Sequence, residues 1–317
     1  MVDCRITTAP HEGADFEAVV EHVRASERLG FTAHFRSDHY APTRPFFSGQ
    51  PGPNDAWMSI AALARETTEI RLGTLVTPIS FRHPSVLAIH VAQADRISGG
   101  RVELGLGVGW LESEHRMWGL PFPAARFGIL EEQLHVLRGV WESSENSPFT
   151  FEGRHFQLDR AWISSPSQTP IPLILGGAGR VRTPALVARF AQEYNAGEGQ
   201  PDAVRTQVER VVEACESIER DPASVEFSIL STTVIGRNPV ELQRRALAVG
   251  EDLEHLRRTA LAGSAAEISD RIAQYVDAGI TRIYFRMLDI RDLDALEMLA
   301  EEVVPHVRSM MPAGGPE

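Results

Sequence analysis

Four short stretches of the 317-residue chain carry side chains able to do chemistry. Ser37-Asp38-His39 is the first. His39 can donate to a ligand or pass a proton near neutral pH, and Asp38 beside it can orient the ring. The same pair also suits the tying of a loop. Gly73-Thr74 is the second, where a glycine and a small hydroxyl mark either a close backbone approach or a tight interior. In the third, Leu104-Gly105-Leu106-Gly107-Val108-Gly109-Trp110, three glycines alternate. A period of two puts them on one face of a strand, making room for a flat ligand or for a bulky neighbour. We read it as a ligand-facing surface. Gly176-Gly177-Ala178-Gly179-Arg180 is the fourth. Bare amides at a strand-to-helix turn bind phosphate, and Arg180 with Arg182 supplies positive charge. An ordinary turn with a basic rim is the plain alternative. Glu112, Glu114 and His115 follow the alternating glycines and could sit at the same mouth.

Other chemistries are excluded. All 31 basic residues are arginine, so neither Schiff-base chemistry nor a P-loop lysine is available. Cys4 and Cys215 are too few for a disulfide framework or a cysteine-built cluster. His-Glu-x-x-His and Gly-x-Ser-x-Gly are absent, and we expect no metal. Against 43 acidic residues the net charge is −12, which argues against a nucleic-acid or anionic-membrane partner. With no run of 18 apolar residues and no leader-like opening, the expected location is cytoplasmic.

These stretches need elements to hold them. Short apolar runs alternate with amphipathic segments, and strands are expected at 2–8, 31–35, 70–77, 102–108, 171–175, 193–196, 225–235 and 280–285. Helices are expected at 16–29, 57–64, 84–97, 125–141, 184–190, 204–218, 265–278 and 293–310, with helical character over 239–256. A hairpin is expected around Gly153-Arg154. Eight strands each followed by a helix predict an α/β fold, a (β/α)8 TIM barrel over residues 1–311 with insertions at its C-terminal mouth and a loose tail at 312–317. An open doubly wound sheet is the structural alternative. In a barrel, Ser37 to His39 and the Gly176–Arg180 turn follow strands at the C-terminal face, while Gly73-Thr74 lies within the third strand.

Taken together, Trp57-Met-Ser-Ile-Ala-Ala-Leu-Ala, Ile70-Arg-Leu-Gly-Thr, Arg82-His83-Pro84, Ala94-Asp95-Arg96-Ile97-Ser98-Gly99-Gly100-Arg101, the glycine-alternating strand and Ile174-Leu175-Gly176-Gly177 resemble the bacterial luciferase-like flavin and deazaflavin oxidoreductases. The resemblance covers most of the chain. It implies a barrel that binds a flavin-type ring at its mouth, with Asp38 and His39 facing the cofactor. It also implies that Gly73, Thr74 and Leu75 form a bulged third strand behind the ring, often through a non-prolyl cis peptide. Gly107 and Val108 would line it, while Gly176, Gly177, Gly179 and Arg180 would hold its phosphate. The overall line looks most like the branch that uses the deazaflavin coenzyme F420, and a lysine-free composition fits a GC-rich actinobacterial host. The implied reaction is hydride transfer between F420 and a small organic substrate, with His39 as the proton donor or acceptor and Glu112 and Glu114 as secondary candidates. The alternatives are an FMN-dependent monooxygenase using reduced flavin and O2, and a non-catalytic homologue. Sugar-phosphate dehydrogenases of this family place an acid where this chain has Trp110, which argues against that substrate. A homodimer is also implied. Substrate choice would depend on the loops at 42–55, 109–123 and 239–261.

Overall fold

The computed structural model describes residues 1–43, 55–164, 170–197 and 199–310. Most of the 42–55 loop and the 312–317 tail therefore lie outside the described residues. In chain order, strands β1 to β11 are Asp3–Thr8, Ala33–Arg36, Arg71–Pro78, Val102–Gly107, Phe149–Glu152, Gln157–Ala161, Leu173–Gly176, Glu193–Ala196, Glu226–Ile235, Leu261–Gly263 and Arg282–Met287. Helices α1 to α12 are Phe16–Arg28, Ala56–Glu66, Pro84–Ser98, Glu112–Trp118, Arg126–Trp141, Arg182–Phe190, Pro201–Glu216, Pro239–Ala248, Leu253–Thr259, Ala265–Asp277, Leu293–Met298 and Val304–Arg308.

Eight of these strands close into a parallel barrel. β1, β2, β3, β4, β7, β8, β9 and β11 pair in that order, and β11 returns to β1. They correspond one for one to the eight expected strands. β5 and β6 form the antiparallel hairpin outside the barrel, and β10 extends the sheet beside the end of β9. Parallel strands covered on both faces are buried throughout, which suits the apolar runs that announced them. β8 is the exception in composition, because Glu193-Tyr194-Asn195-Ala196 is largely polar, yet it is buried at every position.

The barrel interior explains that exception. At its N-terminal end, Glu193 pairs with Arg282, and Arg5 pairs with Glu103 at 2.6 Å and donates to the Tyr284 hydroxyl at 3.2 Å. Above this ionic layer lies a small apolar one of Phe35, Leu75, Ile174 and Tyr284, against which Val76 and Leu230 pack. The much larger core lies between the strands and the surrounding helices. Side-chain layers inside the barrel make it a filled plug with one open end.

The helices start where their sequences say they should. Asp15, Asp55 and Asp252 accept amide hydrogens at the openings of α1, α2 and α9, and Ser264 with Glu267 forms a capping box on α10. Two expected helices prove discontinuous. The helical stretch at 239–256 divides into α8 and α9 because Gly250 turns left-handed (φ 71°) and Asp252 begins a new helix. The closing helix passes through a π-turn, Leu299–Val303, just ahead of Pro305, whose ring nitrogen has no hydrogen to donate back along the helix. α4 lies inside the 109–123 stretch expected as a loop. Among the described residues no helix is long and apolar enough to cross a membrane.

Candidate active site

The C-terminal ends of β1, β2, β3, β4, β9 and β11 surround a cavity of about 210 Å3, lined in part by Thr7, Ser37, Leu75, Val76, Leu230 and Arg286. His11, Glu12, His39, Trp110, Glu114 and His115 complete its polar and aromatic wall.

His39 follows β2 and is held by a residue far along the chain. Glu114, 1% exposed on α4, lies 2.8 Å from His39 Nδ1 through Oε2. Its other oxygen accepts the amides of Tyr40 and Ala41. Burial would raise the Glu114 pKa, but the bonds from His39 and the two amides outweigh it and hold the carboxyl below its ordinary range. One ionised carboxylate thus fixes both the imidazole and the chain beyond it. Trp110, 65% exposed, sets its ring edge-on to His39 with centroids 5.9 Å apart.

Glu112 and Glu114 part company on α4. Two residues along a helix differ by about 200° in direction, so both cannot face the cavity. Glu114 and His115 turn inward, and Glu112 is exposed and outside the lining. This corrects the expectation for Glu112.

The glycines also need correction. A side chain on Gly107 would begin 2.7 Å from Val76 Cγ2, one on Gly105 3.0 Å from Val76 Cγ1, and one on Gly176 3.4 Å from the same atom. Gly107 leaves the room that Val76 occupies, Gly105 is closed first by the Thr74 carbonyl oxygen, and Gly176 stands at ordinary contact, so Gly107 acts on the ligand space through that side chain. The bulky-neighbour reading is the one the geometry gives. β3 shifts register between Thr74 and Thr77, and the Leu75–Val76 peptide is cis. Leu75 and Val76 then form an apolar floor to the cavity. Gly73 makes room for Phe35, whose ring would lie 2.5 Å from an added Cβ, and Thr74 bonds to the Gly105 carbonyl at 3.1 Å. Both belong to the interior beneath the floor. Val108 is half-buried and packs against the large core.

Asp38 is likewise turned away from the cavity. It is fully buried, accepting from Arg82 Nη1 at 2.6 Å, Arg82 Nη2 at 3.2 Å and the Thr77 hydroxyl at 2.8 Å. Arg82 also reaches Asp55 at 2.7 Å, so Asp38 ties β2 and β3 to the start of α2. The Gly176–Arg180 turn lies outside the cavity lining. Gly177 adopts φ 126°, and α6 begins beyond it with no side-chain cap, which leaves its first amides available to an anion.

His11 and Glu12 went unrecognised in the sequence. They occupy a 3-10 turn, Pro10–Glu12, directly after β1. The strand-end position that singled out Ser37 to His39 applies equally to them. Glu12 accepts from the Thr43 amide at 3.0 Å and from its hydroxyl. Burial would raise its pKa, but His11 and Thr43 bring it down to about 2. Burial lowers the His11 pKa, and the ring stands 4.9 Å from that of His39, centroid to centroid.

A flavin-type ring needs an apolar surface to lie on, a polar group at its edge and an anion site for its tail. The Leu75–Val76 floor, the His39–Glu114 pair and the uncapped α6 turn fit those needs.

Comparison with known proteins agrees. The luciferase-like monooxygenase family profile matches residues 2–253. The F420-dependent glucose-6-phosphate dehydrogenase of Intrasporangium calvum is 27% identical, over 92% of this chain and 95% of that protein. Among solved structures, an F420-dependent secondary alcohol dehydrogenase in complex with an F420-acetone adduct superposes with a TM-score of 0.84 at 20% identity, covering 97% of this chain and 99% of that one. The oxygenating constituent of 3,6-diketocamphane monooxygenase from Pseudomonas putida, in complex with FMN, does so with a TM-score of 0.74 at 17% identity, covering 98% and 100%.

Proposed function

The chain belongs to the luciferase-like monooxygenase family, and from that premise we propose that it is an F420-dependent oxidoreductase acting on a small organic substrate. The observation that carries the reading is the His39–Glu114 pair standing over an apolar floor at the barrel mouth. Bound there, F420 supplies the carbon that accepts or releases hydride. Leu75 and Val76 would support the ring, and the α6 turn, with Arg180 beside it, would receive the phosphate of its tail. Glu114, held ionised, accepts from His39 Nδ1, so that a neutral imidazole there has its lone pair on Nε2. Nε2 takes the proton of a substrate hydroxyl as hydride leaves the carbon, and returns it in the reverse direction. Trp110 replaces an acid with an apolar ring, which directs the site away from sugar phosphates.

We assign residues 1–311 to one working barrel in the cytoplasm, with no nucleic-acid partner. A homodimer is supported by exposed Ile89 and Ile97 on α3, which line one groove with Trp162. Light scattering after size exclusion tests it, a monomer being the refuting result.

The functional test is a fluorescence titration of purified protein with F420 and, separately, with FMN. Tight binding of F420 is expected. Binding of FMN alone would replace this reading with a flavin monooxygenase, and binding of neither would leave a non-catalytic homologue. His39→Gln should slow the chemical step by about 10²–10⁴-fold with little change in F420 affinity. A retained rate would remove His39 from the mechanism.

A further inference from the structure

Two residues of the cavity wall each carry a polar atom with no hydrogen-bond partner. His11 Nε2 and Glu12 Oε2 are both buried, on residues only 2% and 4% exposed, and neither is bonded. His11 Nε2 does lie 3.2 Å from Glu12 Oε1, an ion-pair distance, but off the direction a hydrogen bond requires. Buried polar groups in folded proteins are nearly always satisfied, and those that are not call for a partner the protein itself does not supply. Orphaned atoms elsewhere, such as those of Gln133 and His22, belong to residues outside the cavity lining. Only at His11 and Glu12, among the described residues, do a donor and an acceptor without partners sit together in the wall that also carries His39.

We propose that His11 and Glu12 form a second recognition point for the substrate beside His39, selecting a small molecule with a hydroxyl on the carbon next to the one that exchanges hydride. The class is a 1,2-diol and its hydroxycarbonyl counterpart, as opposed to a simple alcohol or ketone. The choice of reaction rests on the F420 reading above, and the recognition itself rests on His11 and Glu12.

The polarity follows from the neighbours. The Glu12 carboxylate stands 3.2 Å from His11 Nε2, which favours the ring hydrogen there and leaves Nδ1, 3.0 Å from Ser37 Oγ, to accept from the serine hydroxyl. The neutral ring then carries its hydrogen on Nε2, a donor, next to the acceptor Oε2 of an ionised Glu12. A hydroxyl satisfies both, accepting from His11 and donating to Glu12. A carbonyl oxygen satisfies only His11. Spacing sets the rest. The two imidazoles are 4.9 Å apart, and each nitrogen reaches an oxygen at about 2.9 Å. One small molecule carrying two oxygens can therefore bridge the two rings, and the shortest such bridge is a pair of adjacent carbons.

The test uses propane-1,2-diol and propan-2-ol, which share the reacting group and differ in the second hydroxyl. Their binding is titrated by ligand-observed NMR with the protein alone and with F420 added, so a failure to take up F420 strikes the functional reading and leaves the diol result readable. The diol should bind at least tenfold more tightly than propan-2-ol. His11→Phe should reduce that preference below twofold. His11→Gln, which keeps a donor, should retain part of it, and Ser37→Ala should weaken it several-fold, so the outcome does not depend on the folding of one variant. F420 affinity should change little in all three. Equal binding of the two probes by the unaltered protein, binding of neither, or an undiminished preference in His11→Phe would each overturn the proposal.

Discussion

If Val76 stands in a socket made by missing side chains, then replacing Gly107 with alanine must push it out. The new Cβ would sit 2.7 Å from Val76 Cγ2, about 1 Å inside a normal carbon contact of roughly 3.5–4.0 Å. Its other methyl faces Gly105 and Gly176, so rotation gives up that contact, and a shift away from Gly107 moves Val76 into the cavity it lines, where the ring is proposed to lie. Overpacking of this kind costs about 1–3 kcal/mol. Val76→Ala alone removes two methyls from a half-buried side chain, a loss of about 1–2 kcal/mol. In the double variant the clash has no partner, so Gly107→Ala should cost almost nothing further, a coupling of about 1–3 kcal/mol. Urea unfolding of the four proteins reads the stability cycle without any cofactor, and F420 titration reads the displaced floor. Gly107→Ala alone should weaken F420 binding by about tenfold, equivalent to about 1.4 kcal/mol. Gly105→Ala is the control, since its Cβ would collide with the backbone oxygen of Thr74 and shortening Val76 should not rescue it. Additive costs for Gly107→Ala and Val76→Ala, within about 0.5 kcal/mol, would refute the socket.

Two further outcomes follow from buried charge. Arg82→Met strands the fully buried Asp38 carboxylate and should destabilise the fold by about 3–5 kcal/mol, read by chemical unfolding, with Asp38→Asn in the same chain recovering part of the loss. His22 and His34 contact each other at 3.2 Å between α1 and β2, and burial pushes His22 down to about 4 and His34 well below its ordinary value. Below about pH 6.5 the unfolded chain takes up protons that the folded pair refuses. Stability is therefore fully present above that pH and declines toward pH 4, by about 3 kcal/mol from His22 alone. His22→Asn should flatten that acid slope in unfolding midpoints measured from pH 7.5 to 4.5, and an unchanged slope would assign the acid sensitivity elsewhere.

Why the barrel could be read from the sequence while much of its mouth could not is a question of range. Strands buried on both faces announce themselves through their own residues, and Asp15, Pro84 and Ser264 mark helix starts by chemistry local to a few positions. Even polar β8 obeyed the repeat, because the reason for its polarity lies across the barrel in Arg282. Position at a strand end singled out His39, which the structure places in the cavity wall, yet it says nothing of which neighbour claims each side chain. Asp38 adjoins His39 in sequence but answers to Arg82, while Glu114, more than seventy residues on, holds His39 in place. The alternating glycines show the same ambiguity from the other side. An empty face invites whatever is nearest, and only the course of β3 decides that the occupant is Val76 before it can be a ligand. His11 and Glu12 had the same strand-end placement as His39 but no motif around them. What distinguishes them is a pair of unbonded atoms, a property that exists only once the wall is assembled, and so the features most particular to this enzyme are those a family resemblance is least able to convey.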